Sequence, residues 1–214
     1  MKKLAFVLLI IQPIISNAQL EKFPTSSDSP IWGYYSIGGY LPSPEFALYG
    51  LVGDTIINSK NYSKLYSLTD TILSESSTKE FLGGIRELDN KVYYFNVFSS
   101  KEELLYDFSG NLNDTIELNE FGDYAVVKNI DSIIINDNIH KRFHLENPNG
   151  TGEWIENIGS IHGLLTNMLY PTDNNPPTTT LVCFKYLNIN YYPNYNCGCF
   201  DDYFLSTSID KKKY

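Results

Sequence analysis

Positive charge is scarce in this sequence. Its 214 residues carry 16 Lys and Arg against 25 Asp and Glu, a formal net charge of −9. Such a surface repels phosphate backbones and anionic lipid, which argues against nucleic acid and a charged membrane surface as partners. Charged residues of both signs make up only 19% of the chain while 43% is hydrophobic, so disorder is excluded as well. No apolar run after the first twenty residues is long enough to span a bilayer. No window shows a sustained apolar period of 3.6 residues, so any helix is short.

The N-terminus supplies the one strong targeting pattern. Met1-Lys2-Lys3 is a short basic stretch, Leu4 to Ile11 is unbroken apolar sequence, and Pro13 interrupts it. Ser16-Asn17-Ala18 then offers small residues at the cleavage positions. The expectation is a secretory signal peptide over residues 1–18, cut between Ala18 and Gln19. Loss of Lys2 and Lys3 leaves 14 basic against 25 acidic residues, a charge of −11, on a 196-residue mature chain. That length suffices for a sizeable core. No transmembrane segment is expected in the mature chain.

Cysteine is nearly absent too, with Cys183, Cys197 and Cys199 all near the C-terminus. Export favours a structural disulfide. Cys197 and Cys199, one residue apart, would bond to each other only with strain. Cys183 joined to Cys197 or Cys199 closes a loop of about 15 residues, worth roughly 3 kcal/mol in the chain-entropy view. No His follows His162 to complete a zinc site.

What the sequence has in abundance is β-branched and aromatic residues, including 17 Tyr and 12 Phe. Residues 19–45, rich in Pro, Ser and Gly, read as a loose leader containing a short strand around Trp32-Gly33-Tyr34-Tyr35. From 46 to 214, short β runs alternate with turn residues roughly every 8–12 positions, which predicts a single all-β domain. Asp89-Asn90 and Asn136-Asp137-Asn138 are turn residues that tolerate positive φ. The expected fold is an antiparallel meander of about a dozen short strands, curved toward a barrel, with a two-sheet sandwich as the alternative.

An internal repeat divides this domain into halves of about 46–121 and 122–200. Shifted by 77 residues, Asp54–Leu68 lies on Asp131–Leu145 without a gap, with six identities in fifteen positions where about one is expected by chance. With a period of two, Tyr62, Tyr66 and Leu68 then point inward, matched by Ile139, Phe143 and Leu145. His140, Arg142, His144 and Glu146 form the opposite, wetter stripe.

Residue patterns with catalytic or binding chemistry are few. His140 and His144 would be about 13 Å apart on a strand, too far to share one metal ion. Gly159-Ser160-Ile161-His162-Gly163 has the wrong order for a nucleophile elbow, and on a strand Ser160 and His162 sit about 7 Å apart, beyond hydrogen-bond reach. Asp107 to Asp114 is rich in oxygen ligands but lacks the spacing of a calcium loop. No catalytic residue, metal ligand or cofactor site is therefore assigned. The acidic pairs Glu102-Glu103, Asp201-Asp202, and Glu153 with Glu156 are the raw material for a glycosidase-like hydrolase, which needs two carboxylates about 5–9 Å apart. Trp32, Tyr34, Tyr191 and Tyr192, with Tyr35 and Tyr195, form a candidate aromatic face for stacking on sugar rings.

Asp54-Thr55-Ile56, Asp70-Thr71-Ile72, Asp114-Thr115-Ile116 and Asp131-Ser132-Ile133 share one form. Asp closing a turn before a β-branched strand residue accounts for it locally. The form also resembles the Asp-Ser/Thr-aliphatic sequon of periplasmic O-glycosylation in bacteria with type IX secretion, which would make Thr55, Thr71, Thr115 and Ser132 modification sites.

A wider resemblance lies in an ordered set of segments. These are Gly53-Asp54-Thr55-Ile56 with Tyr62-Ser63-Lys64-Leu65-Tyr66; Gly84-Ile85-Arg86-Glu87 with Lys91-Val92-Tyr93-Tyr94; and Leu104-Leu105-Tyr106-Asp107-Phe108. Lys141-Arg142-Phe143, Trp154-Ile155-Glu156-Asn157-Ile158-Gly159-Ser160 with Gly163-Leu164-Leu165, and Leu181-Val182-Cys183-Phe184 before Cys199 complete the set. Over residues 46–200 the chain resembles a family of secreted β-domains often found ahead of a type IX secretion sorting domain. The family brings no assigned activity. The resemblance implies a bond between Cys183 and Cys199, with Cys197 as the extra thiol. No sorting domain follows in this sequence, which leaves retention in the periplasm, another exit route or a truncated reading frame. The expected role is an exported, non-catalytic β-module that binds carbohydrate or protein or acts as a spacer at the cell surface, with the small secreted hydrolase as the alternative.

Overall fold

The computed structural model describes residues 22–37, 45–69, 73, 75–118, 123–148, 150–166, 168, 178–187 and 189–191. Thirteen strands and two single-turn 3₁₀ segments make up the regular structure of these residues. The strands are β1 (Ile31–Ile37), β2 (Glu45–Ile57), β3 (Lys60–Leu68), β4 (Thr78–Leu88), β5 (Lys91–Asn96), β6 (Lys101–Asp107) and β7 (Thr115–Glu117). They continue with β8 (Tyr124–Ile135), β9 (Asn138–Asn147), β10 (Gly150–Ile155), β11 (Gly159–Ser160), β12 (Thr178–Tyr186) and β13 (Ile189–Tyr191). The protein is all-β: two curled antiparallel sheets, one ordered β13-β12-β1-β2-β3-β4-β5-β6 and the other β11-β10-β9-β8-β7. Each sheet is largely a meander. The first is extended by a late pair, β12 and β13, that returns to flank β1.

Turn chemistry decides the hairpins. Asn58-Ser59, Asp89-Asn90 and Asn136-Asp137 each hold two consecutive positive φ angles between 47° and 63°, the geometry of a tight hairpin turn whose twist matches the strands it joins. They connect β2 to β3, β4 to β5 and β8 to β9.

The short strand expected around Trp32-Gly33-Tyr34-Tyr35 is β1, and the segment expected to be a loose leader belongs to the core. β1 lies between β12 and β2, so both of its edges are paired. Trp32 and Tyr34 point into the main cluster with Leu51, Leu65, Ile85, Tyr106, Phe143 and Trp154, which draws on both sheets. Ile31 joins a second cluster with Leu48, Leu68, Val182 and Cys183, with Tyr35 packed against it. Upstream, Phe23 is buried and stacks on Trp32 at 5.7 Å between ring centroids.

Of the residues expected to point inward, Tyr62, Leu68, Phe143 and Leu145 are buried, but the matching of Tyr66 with Phe143 and the burial of Ile139 need correction. Phe143 is in the main cluster, whereas Tyr66 packs against the second one. The reason is register. The β2–β3 turn is centred on residues 58–59 and the β8–β9 turn on 136–137, so the hairpins superpose at a shift of 78 residues, not 77. A slip of one residue moves every side chain to the other face. Leu65 is accordingly the counterpart of Phe143, and both are completely buried. Ile139 lies near the hairpin tip, beyond the core, and is 70% exposed, while His140 from the expected wet stripe is buried.

Candidate functional site

Hydrogen bonds between the sheets explain why the tyrosine-rich first sheet offers no aromatic ligand face at β1. The Trp32 indole N–H donates to the Ile158 carbonyl at 2.8 Å, and the Tyr34 hydroxyl donates to the Ser160 carbonyl at 3.1 Å. The Tyr106 hydroxyl donates to the Leu164 carbonyl. Each polar tip is satisfied while its ring fills the core, the arrangement a buried Tyr or Trp requires. Burial pushes the Tyr34 and Tyr106 hydroxyls well above their ordinary pKa. Trp32 and Tyr34 are thus removed as ligand-stacking residues. Tyr191 ends β13 with a side chain outside the described residues, where Tyr192 also lies.

The remaining candidates are placed as follows. Ser160 is fully buried, and its hydroxyl accepts the His162 N–H at 3.1 Å. Asp107 caps its own turn by accepting from the N–H and hydroxyl of Ser109 and pairs with Lys91 at 2.9 Å. Asp114 accepts the Asn111 N–H at 2.8 Å, so the oxygen-rich loop closes on itself. Among the described residues no group of three or more His, Cys, Asp or Glu could hold a metal ion. Thr115 and Ser132 are exposed, Thr55 is half-buried, and Thr71 lies outside the described residues. Cys183 is buried and forms no disulfide among the described residues, while Cys197 and Cys199 fall outside them. No described helix is long and apolar enough to cross a membrane.

Two charge networks use the acidic residues. Glu102 on β6 accepts from Arg86 Nε and the Tyr62 hydroxyl at 2.6 Å each, and from Lys60 Nζ at 2.5 Å. Arg86 in turn lies over the Tyr93 ring, 4.3 Å from its centroid. Burial works against the Glu102 charge, but these three donors outweigh it and hold the carboxyl down at about 2. On the second sheet, Arg142 clasps Asp131 through Nε and Nη2 at 2.8 and 2.7 Å, and its Nη1 lies 3.5 Å from Glu153. That clasp lowers Asp131 to about 2. His144 stands 3.3 Å from Asp131 and 3.6 Å from Glu153, ion-pair distances without hydrogen-bond alignment at Nε2. His140 Nδ1 meets the Glu156 carbonyl at 3.2 Å, and burial lowers its pKa.

Concave surface gathers around residues that the sequence did not single out. The stretch Lys22–Asp28 is tied to β4 by the Phe23 N–H donating to Glu87 Oε2 at 3.0 Å. Its far end is tied to the end of β12 by the Leu187 N–H donating to the Asp28 carbonyl. Two clefts share Phe23, Thr25 and Glu87 in their walls. The larger, about 800 Å³, adds Lys22, Asp28, Asp89, Asn90 and Tyr186. The smaller, about 530 Å³, adds Asp54, Asn61, Tyr62, Ser63 and Arg86. Both volumes lie within the range of small-molecule sites. Burial raises the Glu87 carboxyl above its ordinary pKa, against the pull of the Phe23 N–H. Nothing local signals this site, because Phe23 and Glu87 are 64 residues apart and only the fold joins them.

The chain matches no family model, no curated protein and no solved structure.

Proposed function

We propose that this protein is exported and acts as a non-catalytic β-module of the type IX secretion-associated kind, binding a partner or glycan or spacing other parts at the cell surface. The observation that carries this reading is the state of the acidic pairs among the described residues, outside which Asp201 and Asp202 lie. Glu102 is locked to Arg86, Lys60 and Tyr62, and Glu153 faces Arg142 and His144. Glu156 stands 3.8 Å from Lys141. A carboxyl whose pKa is held down at about 2, as that of Glu102 is, stays ionised near neutral pH and cannot serve as the proton donor that glycoside hydrolysis requires. Export rests on the leader pattern of residues 1–18. A Cys183–Cys199 bond and sugar on Thr55, Thr71, Thr115 or Ser132 belong to the same reading, and the exposure of Thr115 and Ser132 supports modification there.

Intact-mass analysis of the chain recovered from its native bacterium tests this. The expected product starts at Gln19, takes one alkyl group before reduction, on Cys197, and two more only after it, and carries glycan mass on the peptides holding Thr115 and Ser132. A product that retains residues 1–18 would overturn export.

One observation favours the hydrolase reading instead. Glu87, the carboxyl with a raised pKa, lines the same cleft as Asp28 and Asp89. Turnover of chromogenic glycosides, abolished in Glu87→Gln, would establish it. No turnover by the wild-type chain sets it aside.

A further inference from the structure

The smaller cleft retains hydrogen-bonding capacity of a definite composition. Asp54 spends Oδ1 on the Ser26 and Ser63 hydroxyls, at 2.5 and 3.1 Å, and its Oδ2 has no partner among the described residues. Arg86 spends Nε on Glu102 and lies over the Tyr62 and Tyr93 rings, and its terminal nitrogens pair with no carboxylate among the described residues. Glu87 spends Oε2 on the Phe23 N–H, and its Oε1 is unspent within the same set. Asn61, exposed on β3 and facing this cleft, uses neither half of its amide among the described residues. Two carboxylate acceptors, a guanidinium donor and an amide that does both therefore border one space of about 530 Å³.

That composition discriminates between ligand chemistries. An anion would meet Asp54 and Glu87, and a simple cation would meet Arg86. A peptide anchored by an apolar side chain would find no anchor point, since Phe23, Ile85 and Tyr62 are only 2%, 2% and 3% exposed and already packed. A neutral ligand whose every polar group both donates and accepts matches the set, and vicinal hydroxyls are such groups. We propose that this cleft, between the Lys22–Asp28 stretch and strands β2 to β4, binds a neutral saccharide through hydrogen bonds from Asp54, Asn61, Arg86 and Glu87. The assignment rests on the binding-module reading above and gives it a site. Recognition here works by hydrogen bonding and not by ring stacking, because the rings at hand are already covered.

The test uses the chain from Gln19 onward, titrated with cello-, xylo-, manno- and maltohexaose, with heparin-type sulfated oligosaccharide and spermine as charged comparators. Binding is read by calorimetry and by the side-chain amide signal of Asn61 in nitrogen–proton spectra. The expected result is binding of at least one neutral oligosaccharide that moves the Asn61 signal. Asn61→Ala should weaken it about 3- to 10-fold, the loss of one net hydrogen bond, while Thr115→Ala on the other sheet leaves it unchanged. Circular dichroism of Asn61→Ala confirms that the variant is folded. Overturning results are no binding of any neutral oligosaccharide, tighter binding of a charged comparator, or binding insensitive to Asn61→Ala. Release of shorter sugars during the titration would instead overturn the non-catalytic reading while leaving the site in place.

Discussion

Gly159 holds φ at +113°, and a β-carbon there would stand 3.0 Å from the Tyr106 ring. Gly159→Ala is therefore expected to destabilise the protein by about 1–3 kcal/mol, through backbone strain and displacement of a packed ring. Urea unfolding with unchanged slope would show it. Glu102 carries a pH-dependent contribution of definite sign. Its folded pKa of about 2 lies below the ordinary carboxyl value of 4.5, so its stabilisation is complete above the unfolded value and fades as pH falls through the folded one. Glu102→Gln should cost about 1–3 kcal/mol at neutral pH, the scale of a lost charged hydrogen-bond partner. It should also flatten the stability loss between about pH 4.5 and 2, as measured by urea midpoints across that range. The acidic residues were legible in the sequence, but their partners were not. Glu102 and Arg86 are 16 residues apart on strands separated by β5, and no spacing rule joins them.

At the scale of the element, the three tight hairpins are the clearest case of local sequence setting local structure. Asn and Asp occupy most of the positive-φ turn positions, and Ser59, at φ 63°, is the misfit. Ser59→Gly should stabilise the protein by about 0.5–1 kcal/mol, because glycine reaches that conformation without steric cost. A thermal scan should show a raised midpoint, and no gain would indicate that the turn relaxes. Strand positions were legible for the same reason as the turns, since β-branched and aromatic runs bounded by turn residues have a local cause. Facing was legible in part, since Tyr62, Leu68, Phe143 and Leu145 are buried as expected, but the correspondence between the two hairpins was not. Aligning Asp54–Leu68 with Asp131–Leu145 by identity set the two turns one residue out of phase. It therefore paired Tyr66 with Phe143 where the backbone pairs Leu65 with Phe143.

Across the whole molecule, the two sheets are joined by aromatic side chains whose polar tips bind backbone of the Ile158–Leu164 stretch, which includes β11. One core cluster includes Trp32 from the first sheet and Trp154 from the second. Unfolding should then be one cooperative event. Variants carrying only one tryptophan, made by Trp32→Phe or Trp154→Phe, should each show fluorescence and circular dichroism transitions that coincide. Separated midpoints within either variant would indicate that the sheets unfold independently. Phe23→Ala should destabilise by about 3–5 kcal/mol, as for a large buried aromatic, because Phe23 stacks on Trp32 and packs against Tyr106 at 6.0 Å.

The amino-acid sequence by itself determined the all-β class, the hairpin turns and most strand positions, because each depends on residues within a few places of one another. Tertiary structure alone decided that the supposed leader supplies β1 at the centre of a sheet, that Trp32 and Tyr34 are core and not ligand face, and that Phe23 and Glu87 meet beside two clefts. Those outcomes depend on which strand lies next to which. That is fixed by burying apolar area between two sheets, a property of the whole chain that no short window of sequence carries.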